Sequence, residues 1–163
     1  MTMTTPDTLL DPLTNAPNAH YFEEHLALAL GTAGRSQSRL CLAVIEIDEL
    51  AALRTQHSTA TVDTCLQNAV LGLRQQLRSS DFLARTDDHQ FSLVLPCIDS
   101  MTGLEHVADK LLGVVQQAFT PPAAVCIGLA LYPDDATTPH ELRQLAHAAV
   151  QTARSGGTGW SLP

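Results

Sequence analysis

Residues 82–95, FLARTDDHQFSLVL, contain two short apolar runs that flank a polar centre. Apolar runs of about four to eight residues between polar boundaries are typical of buried β-strands. Two such strands joined by a short polar tip form a β-hairpin. We therefore predict strands at Phe82–Arg85 and Phe91–Leu95, with the turn in the five residues between them.

Outside this hairpin, two further apolar runs predict buried strands at Leu40–Ile45 and Val125–Leu131. Between the strands, apolar residues recur at the i, i+3, i+4 spacing of amphipathic helices. The predicted helices are about Asn18–Leu30, ending at Gly31, and apolar stripes within 62–77, 104–115 and 142–153. The resulting order is α, β, α, β-hairpin, α, β, α, which predicts an α/β (α+β) fold with a central sheet flanked by helices.

The helix termini carry capping signals. Thr102 with Glu105 has the spacing of a capping box, and so has Thr138 with Glu141. Gly156-Gly157 is expected to end the last helix. These signals predict where the last two helices begin and where the last one ends.

Length and charge exclude several classes of protein. The 163 residues are 45% hydrophobic, which predicts one folded domain over 11–163 after a disordered segment 1–10. The formal net charge of −8 disfavours nucleic acid and anionic membrane surfaces as partners. No apolar run is long enough to span a membrane.

The four cysteines, at positions 41, 65, 97 and 126, form no C-x-x-C pair. Cys41 and Cys126 stand within apolar runs, which predicts buried, reduced thiols. The start of the chain lacks the basic and apolar pattern of a secretion signal. We therefore expect a cytoplasmic protein.

Several short motifs are spread in a defined order from Asp11 to Gly157. They are Asp11-Pro12-Leu13-Thr14, Asn18, Glu46-Ile47-Asp48, Asp87-Asp88-His89-Gln90-Phe91 and Tyr132-Pro133-Asp134. Together they resemble the GGDEF domain of bacterial diguanylate cyclases. The resemblance implies that family's nucleotidyl-cyclase-like mixed sheet. It also implies the family's reaction, in which a dimer joins two GTP molecules into cyclic di-GMP.

The hairpin departs from the pattern of this family. Its two glycines, which allow close approach of a nucleotide, are replaced by Asp87 and Asp88. His89 stands at the position of a carboxylate that holds Mg²⁺, while Glu46 keeps an acid at the other metal position. A carboxylate about 4 Å from a phosphate costs about 4 kcal/mol at an effective dielectric constant near 20. We therefore expect no catalysis and no metal, with Mg²⁺ needed only if residual cyclase activity persists.

Two further family positions extend this vestigial active site. The guanine-binding pair corresponds to Arg54 and Asp63, of which only the aspartate matches the family. The phosphate-contacting lysine of the last helix corresponds to Arg154. The expected vestigial site therefore comprises Glu46, Asp63, Asp87, Asp88, His89 and Arg154.

A second family site matches its pattern. Arg78-Ser79-Ser80-Asp81 stands five residues before the hairpin motif, where the resemblance implies an inhibitory site for cyclic di-GMP. Arg78 is expected to donate to a guanine edge or a phosphate, and Asp81 to accept from guanine N–H groups. Lys110 and Arg74 are expected to add positive charge. The alternative is that Arg78 and Asp81 form only a surface ion pair.

Three functions remain open at this point. The first is a non-enzymatic cyclic di-GMP receptor that acts on an unidentified protein partner, with the ligand bound by one chain or bridging a homodimer. The second is residual GTP binding or cyclase activity. The third is a ligand-free protein-interaction module.

Overall fold

The computed structural model describes residues 9–163. Most of the segment expected to be disordered, 1–10, lies outside the described residues. Its last two residues pair with the chain: the Leu9 carbonyl accepts from the Asn18 N–H, and Leu10 forms a β-bridge with Pro17.

The chain forms five helices and five strands within the described residues. In order they are α1 Ala19–Ser36, β1 Leu40–Ile47, α2 Leu50–Gln56, α3 Thr59–Gln76, β2 Phe82–Asp87, β3 Gln90–Pro96, α4 Met101–Ala118, β4 Val125–Tyr132, α5 Pro139–Gly156 and β5 Trp160–Ser161. The strand order is β2-β3-β1-β4-β5, with β5 parallel to β4 and the other pairs antiparallel. This mixed sheet flanked by helices confirms the expected fold class.

Both faces of the sheet are covered, and the alternation along β1 shows how. Cys41, Ala43 and Ile45 pack into a core with α2, α3 and α4, whereas Leu40, Leu42 and Val44 pack into a second core with α1 and α5. Successive strand residues point to opposite faces. Glu46 therefore falls on the α5 side of the sheet, which matters for the site described below.

The packing of α5 against β4 depends on Gly128. A Cβ added at Gly128 would lie 2.0 Å from the Ala146 carbonyl oxygen and 2.6 Å from the Val150 nitrogen. Both neighbours are helix backbone, so they cannot rotate away. The glycine thus allows α5 to approach the sheet closely enough to bring its last turn beside β1.

Several predicted boundaries are wrong. Helix α1 continues through Gly31 to Ser36, because Leu30 and Ala33 keep packing on the sheet and one glycine costs only about 1 kcal/mol. Helix α4 begins one residue earlier than the predicted cap, with Ser100 as N-cap accepting from the Gly103 N–H. The short elements α2 and β5 were not predicted. The Thr138 cap and the Gly157 terminus are confirmed.

The cysteines are all free thiols, and Cys41, Cys65 and Cys126 are buried while Cys97 is exposed. Burial raises the pKa of Cys41 to about 12. The prediction of buried, reduced thiols at Cys41 and Cys126 is confirmed. Across residues 9–163, none of the helices combines the length and apolar character needed to cross a membrane.

Candidate functional site

The antiparallel pairing gathers the candidate residues at two opposite ends of the sheet. At one end lie the end of β1, the β2–β3 turn and the start of β4, since Glu46 pairs with both Gln90 and Cys126. We call this the hairpin end. At the other lie the starts of β1 and β2 and the ends of β3 and β4, since Leu40 pairs with both Pro96 and Tyr132. We call this the Arg78 end.

At the hairpin end, Arg154 binds the carboxylates that follow β1. Its Nε lies 3.1 Å from each carboxylate oxygen of Asp48, and its Nη2 lies 3.0 Å from Oε1 of Glu46. The Glu46 and Asp48 side chains are only 12% and 18% exposed. The hydrogen bonds that Arg154 donates to Asp48, and secondarily the one to Glu46, raise the pKa of its guanidinium. A resident cation therefore compensates part of the charge of this acidic pair.

A second arginine joins the hairpin to the helix that follows. The Arg54 guanidinium donates to both carboxylate oxygens of Asp88 at 2.6 and 2.9 Å, and its Nη2 lies 3.8 Å from Oδ1 of Asp63. The hydrogen bonds from Arg54 hold the pKa of Asp88 below its usual range. Two of the expected vestigial residues, Asp63 and Asp88, are thus connected by Arg54.

A third arginine, Arg85, lies inside the fold with 8% of its surface exposed. Its Nη1 lies 3.1 Å from Oδ2 of Asp11, and its Nη2 donates to the Asp88 carbonyl at 2.7 Å and to Oδ1 at 3.0 Å. Burial alone would raise the pKa of Asp11, but hydrogen bonds from Thr14 and Arg85 lower it. Arg85 therefore ties the start of the domain to the hairpin.

These contacts correct one expectation about the hairpin. Asp88 does not present an uncompensated charge, because Arg54 and Arg85 both bind it. Asp87 is exposed and accepts a hydrogen bond from the Asp88 N–H, while the His89 carbonyl accepts from the Ile47 N–H at 2.9 Å. The turn itself is shorter than predicted, since only Asp88 and His89 separate the strands.

The residues at this end do not fit the Mg²⁺ that the family's reaction uses. Mg²⁺ is held by oxygen ligands in near-octahedral geometry. Here Glu46 and Asp48 are bound by Arg154, and the residue that the resemblance places at the other metal position is a histidine, His89. In the part of the chain that the structure describes, no three His, Cys, Asp or Glu side chains are grouped so as to hold a metal ion.

At the Arg78 end, Arg78 and Asp81 bind each other. The Arg78 backbone N–H and Nε donate to Oδ2 of Asp81 at 2.8 and 3.4 Å, and Nη2 donates to Oδ1 at 3.0 Å. Nη2 also donates to the Pro96 carbonyl at 2.7 Å. The Asp81 side chain is 5% exposed. Asp81 therefore orients Arg78, and its burial leaves little of the carboxylate accessible to a further donor.

A cavity of about 280 Å³ opens beside this pair. Its wall includes Arg78 and Asp81, the segment 97–100 after β3, and the first turns of α4 at Gly103 and Val107. Among residues 9–163 the Arg78 Nη1 has no hydrogen-bond partner, so its N–H groups remain available. Small-molecule sites typically have volumes of roughly 300–1,000 Å³, so this cavity suits a single planar base.

The two other expected cations lie outside this cavity. Lys110 is exposed on α4, one turn beyond Val107, and does not line the cavity wall. Arg74 donates from α3 to the Asn15 carbonyl at 3.3 Å. Helix α3 ends at Gln76, so Arg74 and Arg78 do not share a helix face.

The roles of Arg54, Arg85 and Asp48 were not foreseen. Arg85 had a usable signal, since an arginine in an apolar strand needs buried partners. The Arg54–Asp88 and Arg154–Asp48 pairs join residues 34 and 106 positions apart. No local pattern reports such pairs.

Comparison with known proteins supports the family resemblance and the fold. The family model described as diguanylate cyclase, GGDEF domain, matches residues 8–159. The diguanylate cyclase TpbB of Pseudomonas aeruginosa is 31% identical over 155 residues, which cover 91% of this chain and 36% of the relative. The chain thus spans about a third of the length of that relative.

Solved structures show the same fold. The GGDEF domain of TpbB from Pseudomonas aeruginosa superimposes with a TM-score of 0.85 at 30% identity, covering 94% of this chain and 93% of that domain. The GGDEF domain of DgcB from Caulobacter crescentus, solved in complex with cyclic di-GMP, has a TM-score of 0.81 at 20% identity, covering 98% of each chain. The chain described here belongs to the GGDEF domain family of diguanylate cyclases.

Proposed function

We propose that this GGDEF domain is a receptor that binds cyclic di-GMP at the Arg78 end and does not synthesise it. In this role it needs no metal cofactor and passes the ligand signal to a protein partner in the cytoplasm. One observation carries the proposal. The carboxylates at the hairpin end are held by the chain's own arginines, whereas an oriented arginine with free N–H groups faces a cavity at the other end.

The proposal that this domain does not synthesise cyclic di-GMP is supported by the ion pairs that a bound nucleotide would have to break. Arg154 binds Glu46 and Asp48, and Arg54 binds Asp88 and contacts Asp63. These cations are already part of the fold, so they bind without the loss of translational freedom that a free ligand or ion incurs. Binding of GTP with Mg²⁺ would require several such pairs to be broken.

Binding of cyclic di-GMP is supported by the chemistry of the Arg78 cavity. Asp81 and the Pro96 carbonyl hold the Arg78 guanidinium in one orientation. Its Nη1 has no hydrogen-bond partner among the described residues. A guanine offers O6 and N7 as acceptors to an arginine. DgcB of Caulobacter crescentus, which shares the fold, is a GGDEF protein whose structure contains cyclic di-GMP.

Isothermal titration calorimetry with cyclic di-GMP tests the receptor role. The wild type is expected to bind, and Arg78→Ala to lose at least about tenfold in affinity, which corresponds to about 1.4 kcal/mol. Arg143→Ala is the matched control, since Arg143 pairs with Glu23 and does not line the cavity. No heat from the wild type at tens of micromolar ligand, or equal affinity of wild type and Arg78→Ala, would overturn the proposal.

The absence of synthesis is tested separately by incubating the protein with GTP and Mg²⁺ or Mn²⁺, followed by chromatography. We expect neither product nor GTP binding. Formation of cyclic di-GMP would establish the residual-enzyme alternative instead. Sedimentation with and without cyclic di-GMP reports whether the ligand bridges two copies of the chain. Partner binding that ignores cyclic di-GMP would favour the ligand-free interaction module.

A further inference from the structure

We propose that the second guanine of the dinucleotide binds on the same chain, in a larger cavity at the Arg78 end, where Arg39 recognises it. This inference rests on the proposed receptor function. It assigns to Arg39 a role in base recognition and to Asp99 the acceptor role that Asp81 cannot fill.

The two cavities are neighbours on either side of the segment that follows β3. The larger one has a volume of about 770 Å³ and shares Cys97, Ile98 and Asp99 with the Arg78 cavity. The pairing of Leu40 with both Pro96 and Tyr132 brings Arg39, Cys97 and Pro133 to the same end of the sheet. A ligand that leaves the Arg78 cavity past Cys97 therefore enters the space beside Arg39.

The sizes of the cavities favour a ligand that spans both. The Arg78 cavity, at about 280 Å³, is below the usual range for a drug-sized ligand, which is roughly 300–1,000 Å³. Cyclic di-GMP carries two purines and two phosphates, so one base in this cavity leaves the rest of the molecule outside. The neighbouring cavity, at about 770 Å³, has room for the second base.

Arg39 presents a pair of donors to this space. Its Nε lies 3.0 and 3.1 Å from the carboxylate oxygens of Asp134, which fixes the orientation of the guanidinium. Within the described part of the chain, neither Nη1 nor Nη2 has a hydrogen-bond partner, and 53% of the side chain is exposed. Two parallel N–H donors match the O6 and N7 acceptors of guanine. Arg39 is therefore oriented to bind the edge of a guanine.

The acids in the cavity favour a neutral base over a phosphate. Asp99 and Asp134 both line it, and each would repel an anion placed beside it. Over residues 9–163 the Asp99 carboxylate makes no hydrogen bond that would occupy it. A carboxylate accepts the N1–H and amino N–H groups that guanine carries and that a phosphate lacks. The combination of free arginine donors and a free carboxylate therefore suits guanine.

Calorimetry with cyclic di-GMP on Arg39 variants tests this inference. We expect Arg39→Ala to lower affinity about tenfold, and Arg39→Lys to lower it equally, since lysine keeps the charge but lacks the planar pair of donors. Arg143→Ala is expected to bind as the wild type does. Circular dichroism of each variant confirms that it is folded.

The outcomes separate this inference from the receptor function. If the wild type binds no cyclic di-GMP, the proposed function fails. If Arg78→Ala loses affinity while Arg39→Ala does not, the receptor function stands and the second subsite is wrong. Full affinity in Arg39→Lys would mean that Arg39 acts through charge alone, which overturns base recognition.

Alkylation of Cys97 gives an independent measurement. Cys97 is the exposed cysteine of the four, and it borders both cavities. A ligand that spans the cavities covers this thiol, so saturating cyclic di-GMP is expected to slow its reaction with N-ethylmaleimide at least about tenfold. An unchanged rate at saturation would overturn the spanning mode.

Discussion

The hairpin end and the Arg78 end of one sheet use the same chemical groups in opposite ways. At the hairpin end, Arg54, Arg85 and Arg154 each bind carboxylates from a distant part of the chain. At the other end, Arg39 and Arg78 each bind a single carboxylate, that of Asp134 and that of Asp81, and keep N–H groups that have no partner among the described residues. The difference lies in how many acids the fold brings within reach of each guanidinium.

This comparison separates arginines that act as structural partners from arginines that keep donors available. In the hairpin, Asp88 is bound by both Arg54 and Arg85. Stability at the hairpin end and ligand binding at the Arg78 end should therefore respond differently to substitution.

The largest expected effect is at Arg85. Arg85→Met is expected to lower the free energy of unfolding by about 3 kcal/mol, because it leaves Asp11 and Asp88 without a buried partner. Urea denaturation measures this change. The matched variant at the other end, Arg39→Met, removes an exposed pair and is expected to cost at most about 1 kcal/mol. Equal costs for the two variants would contradict the comparison.

Arg154→Met is expected to destabilise the fold by about 2 kcal/mol, since it removes charge-assisted hydrogen bonds from Glu46 and Asp48. It also uncovers two carboxylates. We therefore expect Mn²⁺ to raise the melting temperature of this variant but not that of the wild type. A wild type that Mn²⁺ stabilises as strongly as the variant would show that Arg154 does not block the acids.

Asp88→Asn is expected to cost about 1 kcal/mol at pH 7, because the Asp88 side chain is 55% exposed and water screens its pairs. Since the pKa of Asp88 is lowered in the folded state, its contribution is present above the unfolded value of about 3.9 and is lost as pH falls through the folded value. Urea titrations at several pH values should show a constant difference from pH 7 to about 5. The difference should shrink below about pH 4, and one that persists in acid would exclude ionisation as its cause.

The smallest effect is expected at Lys110. Lys110→Ala should change cyclic di-GMP affinity by less than about twofold, because the side chain is exposed and does not line either cavity. Calorimetry on Lys110→Ala and on Arg78→Ala in parallel measures the difference between their affinities for cyclic di-GMP. A loss comparable to that of Arg78→Ala would place the ligand over α4 instead of over the segment after β3.

The parts of the fold that could be predicted from the sequence are those with a strong local signal. The apolar runs at β1 and β4 and the Thr138 cap of α5 were found in this way. The prediction that α1 ends at Gly31 is wrong. Packing of the neighbouring turns on the sheet outweighs the low helix propensity of one glycine. Helix α2 is short and carries no side-chain cap, so its sequence has no comparable signal.

In the candidate site too, some features could be predicted from the sequence and others could not. The spacing of Arg78 and Asp81 was visible, and the two residues do meet, but the orientation that occupies Asp81 was not visible. Lys110 was predicted to contribute from its position in the sequence, but on α4 it lies outside the wall of the cavity. Spacing predicts which residues are neighbours, whereas hydrogen-bond directions depend on backbone that arrives from other elements.

Local patterns in the sequence were enough to predict the sheet with its covering helices and the proximity of Arg78 to Asp81. These features follow from local periodicity and short spacing. The Arg154–Asp48 pair, the Arg54–Asp88 pair and the unpaired Nη groups of Arg39 among the described residues follow instead from three-dimensional packing. Such outcomes depend on how α5, the hairpin and β1 converge, because an ion pair forms only where packing brings charges within a few ångströms.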